Sequence, residues 1–259
     1  MDRFRELVYE VSGIHLGANK EALVSTRISK RMRVLNLSTP EAYLAHVEQN
    51  NDGEVVQLID AIATNVTSFF READHFAFLS EVCRQWHAGG QRRFRLWSAA
   101  SSSGEEPYSI AMTMLDTVGT ECDTRILATD ISTKILNQAV EGVYDARRVA
   151  GCSRDLVMRH FQKDVNGAVH FSVRSAVRQL CTFRLLNLAR PPFPMRGPLD
   201  VVFCRNVMIY FDNRVRTALL REIHRLLKPG GYLLVGHAES MTGLDHEFRA
   251  VRPSIYRKD

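Results

Sequence analysis

The run LWSAASSSGEEPYS (96–109) sets the end of an apolar, strand-like segment against six small residues, a glycine and two glutamates that open a helix. A helix start offers unpaired N–H groups and the positive end of its dipole, which favour anions. Glu105 and Glu106 at that point would repel a phosphate at close range, so the loop suits a ligand bearing hydroxyls and positive charge. The same glutamates would also compensate the helix dipole with no ligand present. The next strand-like segment, TRILATD, ends in Asp130, twenty-six residues after Gly104. Nucleotide-binding folds place a ribose-binding acid at about that distance, and an N-cap for the following helix is the equal alternative. Together the loop and the acid point to an adenosine-containing cofactor held without a phosphate contact. S-adenosylmethionine, with its cationic sulfonium and ammonium groups, fits. A dinucleotide does not, because G-x-G-x-x-G is missing from the loop.

These residues need a scaffold of strands and helices in alternation. From about residue 94 the order reads RFRLWSA, helix 105–118, TRILATD, helix 133–140, LDVVFCRN, helix 213–227 and YLLVGH. Such alternation predicts an α/β fold with a doubly wound, mostly parallel sheet. Between about 150 and 186 the rhythm breaks: AVHFSV and CTFRLLNL alternate at period two around polar turns, which predicts a small antiparallel β insertion. The first sixty residues read as all-α. Phe4, Leu7, Val8 and Val11 form one stripe punctuated by Gly13 and Gly17, Ser38 and Glu41 suit a capping box around Pro40, and Leu58, Ile59 and Ile62 mark another face.

With 259 residues, 45% hydrophobic and 24% charged, the chain can bury a full core. MDRFRELVYE holds no apolar signal region and no long uncharged apolar window occurs, so a cytoplasmic protein without membrane insertion is expected. The five cysteines include no C-x-x-C and have no histidine at ligand spacing, so neither a metal site nor a disulfide is expected. A net charge of +5 favours an acidic partner.

The strings TNVTSFFRE (64–72), WSAASSSGEEPYSIAM (97–112), FCRNVMIYFD (203–212) and GHAES (236–240), in this order, resemble the chemotaxis receptor methyltransferases of the CheR type. LKPGGYLLVGH resembles the late helix-to-strand junction of class I methyltransferases, and FRAVRPSIYRK their final strand. The likeness spans essentially the whole chain. It implies an N-terminal helical domain (1–62) that recognises the receptor, a linker (63–75) reaching the active site, and a methyltransferase domain (76–259) carrying the insertion. It also implies methylation of glutamate side chains on the chemoreceptor cytoplasmic helical bundle, leaving S-adenosylhomocysteine. Residue by residue, Asn65, Thr67 and Arg71 match positions that reach over the cofactor, Glu106 the loop acid and Asp130 the ribose acid. Asn187 and Leu188 match the adenine side, and Arg205 and Asn206 the methionine side. Arg71 and Tyr210 match residues beside the transferring methyl. Ser103 stands where the family commonly has threonine and keeps the hydroxyl.

The chemistry agrees with these residue types. A glutamate of pKa about 4.3 is ionised at neutral pH and needs no general base. It needs orientation, which a guanidinium fork at Arg71 and a hydroxyl at Tyr210 can supply. Arg71 could instead pair with Glu72 or Asp74. In KEALVSTRISKRMRVLNL, the stripe Val24, Ile28, Met32 and Leu35 puts Arg31 within its range and Arg27 at its edge, with Lys30 farther round. Such arginines snorkel, pair internally or face a partner; given the resemblance, Arg27, Lys30 and Arg31 are expected on the receptor surface. The resemblance makes the insertion the family's small β-subdomain, which in some members binds a peptide at the receptor's C-terminus. The turn VNGA between FQKD and VHFSV lacks the longer glycine-rich loop of some peptide-binding members, so no receptor C-terminal pentapeptide is expected to be required. A nucleic-acid methyltransferase is the first rival; its common D/N-P-P-Y/F string is replaced by CRNVMIYF, so no nucleic-acid partner is expected. A non-catalytic binding module is the second, against which Arg71, Tyr210, Glu106 and Asp130 all stand.

Overall fold

The computed structural model describes residues 2–15, 21–49, 53–62, 65–164 and 169–259. Gly17, the start of the expected linker at 63–64 and the turn VNGA lie outside the described residues. Helices α1 (Asp2–Ser12), α2 (Glu21–Val34), α3 (Pro40–Gln49) and α4 (Gly53–Ile62) form the N-terminal unit. Their amphipathic stripes meet in one core: Phe4, Val8, Val24, Ile28, Tyr43 and Leu58 are buried, with Val11 partly so. Each such side chain contributes about 1.5–3 kcal/mol on burial. Helix α3 is capped by Thr39, whose Oγ1 accepts from the Ala42 N–H at 3.2 Å, in place of the expected Ser38–Glu41 box. Gly13 ends α1 at φ 71°, where an added Cβ would lie 2.2 Å from Cβ of Ala189, so the helical unit closes directly on the second domain.

That domain begins with α5 (Ala73–Ala88) and continues through β1 (Arg93–Ser98), α6 (Glu105–Val118), β2 (Asp123–Asp130) and α7 (Thr133–Glu141). Next come β3 (Val143–Asp145), α8 (Ala146–Val149), α9 (Arg154–His160), β4 (Phe161–Asp164), β5 (His170–Val173), α10 (Ser175–Arg178) and β6 (Cys181–Leu185). The chain ends with β7 (Leu199–Cys204), α11 (Asn213–Leu226), β8 (Leu227–Val235), β9 (Phe248–Arg252) and β10 (Ile255–Lys258). The seven-stranded sheet has the order β6-β2-β1-β7-β8-β10-β9. Strands β6, β2, β1, β7 and β8 run parallel, and β10 is antiparallel to both its neighbours. Every residue of β7 is buried, as expected of a central parallel strand, and its one charged residue, Asp200, is paired with Lys228. The strand order turns back at β1, which has β2 on one side and β7, reached from the edge strand β6, on the other, so a crevice opens beyond the carboxyl ends of these strands.

Three details differ from the sequence reading. The antiparallel insertion is the sheet β3-β5-β4, which starts at Val143, whereas CTFRLLNL supplies β6 of the main sheet, parallel to β2. As an edge strand, β6 has one half-exposed face, so its residues alternate as an antiparallel strand's would. The KPGG segment is taken into β8 as a register shift opposite Leu199 and Val201. FRAVRPSIYRK forms both strands of the terminal hairpin, with Ser254 at φ 60° in its turn.

Candidate active site

At the crevice, the loop after β1, the ends of β2 and β7, the segment 65–71 and the end of α1 enclose one cavity. Asn65, Thr67, Arg71, Glu106, Asp130, Asn187, Leu188, Arg205, Asn206 and Tyr210 all line it, and so does Arg27. Ser12, Ile14, Val24 and Ile62 bring the helical unit to the same wall.

The acids are held by their local backbone. Gly104 precedes α6 at φ 98°, and an added Cβ would approach Oη of Tyr144 to 2.8 Å, so only glycine fits the turn. Glu106 is buried; Oε1 accepts from Ser98 Oγ at 2.7 Å and Oε2 from Nη1 of Arg205 at 3.0 Å. Burial pushes its carboxyl up, against the opposing pull of the Arg205 charge. Glu105 turns to the opposite side, where Arg148 pairs with it and Ser103 Oγ donates to it at 2.6 Å. Only one of the two loop glutamates therefore faces the cavity. Asp130 accepts the N–H of Ser102 at 2.9 Å through Oδ2 and that of Ser132 at 3.1 Å through Oδ1, and burial again pushes its carboxyl up. The helix after it is capped by the Ser132 hydroxyl, which leaves Asp130 at the cavity wall.

Arg71 takes neither expected ion pair. Its Nη1 donates to the Val66 carbonyl at 2.9 Å, while Glu72 is taken by Nη2 of Arg205 at 2.9 Å and Asp74 by His237 at 3.1 Å. The Arg71 carbonyl accepts from the same Arg205 guanidinium. Asn206, at φ 57°, reaches Glu72 through Nδ2 at 3.3 Å, and its N–H donates to Glu239 at 2.7 Å. Asn187 spends its side chain on the scaffold: Nδ2 donates to the Val11 carbonyl at 2.6 Å and Oδ1 accepts from Ala189 at 2.9 Å. It is a tie between the two domains at the cavity edge.

The three basic residues of α2 separate. Arg31 forks onto the buried Glu54 at 2.9 and 2.6 Å, with the Tyr43 hydroxyl 2.8 Å from the same carboxylate. Arg27 donates to the Ala61 carbonyl at 2.6 Å. Lys30 is exposed. Two of the three are thus turned inward.

Sequence reasoning passed over Ser102 and Glu239, and took Glu72 only as a possible ion-pair partner of Arg71. Glu239 is a buried acid that draws together the N–H groups of Gly236, Asn206 and Ile209, pinning the loop after β8 to the loop after β7. Its position in the GHAES string is its one sequence signal. Ser102 lines the cavity with a buried hydroxyl that lacks a hydrogen-bond partner among the described residues. That orphan, the Asp130 carboxylate beside it, and apolar surfaces from Ile131, Leu186 and Leu188 suit a flat, hydroxyl-bearing group such as an adenosine.

The family described as CheR methyltransferase, SAM binding domain, matches residues 65–256, and the CheR methyltransferase all-alpha domain matches residues 1–63. Chemotaxis protein methyltransferase 2 of Pseudomonas aeruginosa is 39% identical over 254 residues, covering 97% of this chain and 90% of its own. The chemotaxis protein methyltransferases of Salmonella typhimurium and Escherichia coli are each 38% identical over 259 residues, with 98% of this chain and 88% of theirs covered. The chain belongs to the CheR methyltransferase family, its all-alpha domain followed by a domain that uses S-adenosylmethionine.

Proposed function

We propose that the protein transfers a methyl group from S-adenosylmethionine to glutamate side chains on the cytoplasmic helical bundle of a chemoreceptor, forming glutamyl methyl esters and releasing S-adenosylhomocysteine. The observation that carries this reading is that Arg71 and Tyr210 share one cavity with the buried acids Glu106 and Asp130. The bound cofactor supplies an electrophilic methyl on a cationic sulfur. Asp130 would accept from the ribose hydroxyls, Asn187 and Leu188 would lie on the adenine side, and Glu106 with Arg205 and Asn206 would border the methionine part. Asn65 and Thr67 cover it from the segment between the domains.

The substrate carboxylate is ionised at neutral pH, so no proton has to move. Its oxygen forms the new C–O bond as the C–S bond breaks. Arg71 and Tyr210 orient that oxygen, and closure of the helical unit over the cavity excludes water. The Arg71 fork also stabilises the ground-state anion, so its contribution is alignment rather than neutralisation. The receptor surface centres on exposed Lys30, with Arg27 and Arg31 shaping it from inside. The reading includes action in the cytoplasm, without a receptor pentapeptide and without nucleic acid; no helix among the described residues is long and apolar enough to cross a membrane.

Transfer of radiolabelled methyl from S-adenosylmethionine to receptor-bearing membranes, followed by mild alkali, tests the reading. Label on the receptor that leaves as volatile methanol is expected. Alkali-stable label, or none with cofactor bound, would overturn it.

A further inference from the structure

Glu72 stands at the start of α5 and His237 just beyond the end of β8, so two loops meet beside the cavity. With His75, they offer three ligand atoms that all lie within 4.8 Å of one another. His75 is fully buried, and neither ring nitrogen has a hydrogen-bond partner among the described residues. Leaving a buried polar group unpaired costs about 1–3 kcal/mol, so this imidazole is poised for a ligand. Its Nδ1 lies 3.6 Å from Oε2 of Glu72. The ring of His237 sits 5.0 Å from that of His75, and its Nε2 is 3.1 Å from Oδ2 of Asp74. A carboxylate on one nitrogen of a histidine is the usual support for an imidazole whose other nitrogen binds a metal. The local charge points the same way: Glu72, Glu106 and Asp74 gather around the single guanidinium of Arg205 and the His237 ring.

We propose that Glu72, His75 and His237 form a binding site for one divalent transition-metal ion. Two imidazoles and a carboxylate suit zinc or cobalt, while magnesium and calcium require oxygen ligands. The ion would draw on the Glu72 oxygen that Arg205 and the His237 N–H now share, so occupancy bears on the cavity wall. The site stands independently of the methyl-transfer reading. A second group, His87, Glu121 and Cys122, has similar spacing and is the competitor the experiment must separate. Its carboxylate is exposed, and none of its members is a fully buried unpartnered imidazole.

The test is titration of the full-length protein with Co²⁺, followed by its visible ligand-field bands. One ion per chain is expected, with binding weakened at least about tenfold in His237→Ala and in His75→Gln. His237 is half exposed, so His237→Ala probes the site without disturbing the core. Failure of the wild-type protein to saturate, or unchanged binding in His237→Ala, would overturn the proposal. So would a near-ultraviolet sulfur-to-cobalt band that disappears in Cys122→Ser, since that ion would sit at the competing group.

Discussion

Nη2 of Arg205, at the carboxyl end of β7, lies 2.9 Å from Oε2 of Glu72, the residue that follows Arg71. The same guanidinium holds Glu106 and the Arg71 carbonyl, so one buried side chain locks the inter-domain segment onto the sheet. Arg205→Lys keeps the charge and loses the fork. Methyl transfer should fall about 10²-fold, the order expected for an ångström-scale misplacement of Arg71. Arg205→Ala leaves the buried Glu106 and the partly buried Glu72 carboxylates uncompensated and should cost about 3–5 kcal/mol in denaturant unfolding.

Because the nucleophile is an ionised carboxylate, kcat should be flat from about pH 6 to 8, well above its unperturbed pKa. Arg71→Lys should lower kcat about 10²-fold while leaving that profile flat. A bell-shaped profile in the wild-type enzyme would reveal a general base and sink the orientation mechanism.

The Arg31–Glu54–Tyr43 cluster predicts acid sensitivity of the helical unit. Burial alone would push the Glu54 carboxyl up, but the hydrogen bonds from Arg31 and Tyr43 hold it below its ordinary 4.5. A carboxyl depressed in the folded state is protonated first in the unfolded chain. Its stabilisation is therefore present above pH 4.5 and lost as the pH falls below it. Glu54→Gln should be about 2–4 kcal/mol less stable at pH 7 and lose less on acidification than wild type, as read by circular dichroism.

Gly104→Ala should destabilise by about 1–3 kcal/mol, since it combines a left-handed backbone with a 2.8 Å approach to the Tyr144 hydroxyl. A lowered melting temperature with weakened S-adenosylmethionine binding in calorimetry is the expected result. An unchanged cofactor affinity would mean that the loop can relax without moving Glu106.

Lys30→Glu and Arg31→Glu should differ in kind. The exposed Lys30 should alter receptor association in a salt-dependent way with the melting temperature unchanged. Arg31→Glu should unfold the helical unit, because it buries a second negative charge against Glu54. Equal effects on folding from both would remove the receptor surface from this part of α2.

Much of the architecture was legible in the sequence because hydrophobic period and turn chemistry are local. The βαβ alternation, the helix starting at Glu105 and the four N-terminal helices follow from spacing that any window of the chain displays. The loop acid and Asp130 were readable because strand ends and helix starts locate a site in a doubly wound sheet. What stayed hidden depends on partners distant in the chain. Period two shows that CTFRL is a strand, but whether it joins the insertion or the main sheet depends on which edge is open to it, and that edge belongs to β2. Charge on α2 cannot show that Arg31 meets Glu54, twenty-three residues on, or that Arg27 meets a helix end. Glu105 and Glu106 are neighbours in sequence, yet helical rotation and the separate arrivals of Arg148 and Arg205 give only one of them to the cavity. The sequence by itself determined which segments are helix or strand and which side chains are candidates for the site. Tertiary structure decided which charges neutralise one another, because Coulomb and hydrogen-bond energies act over a few ångströms of space and are blind to separation along the chain.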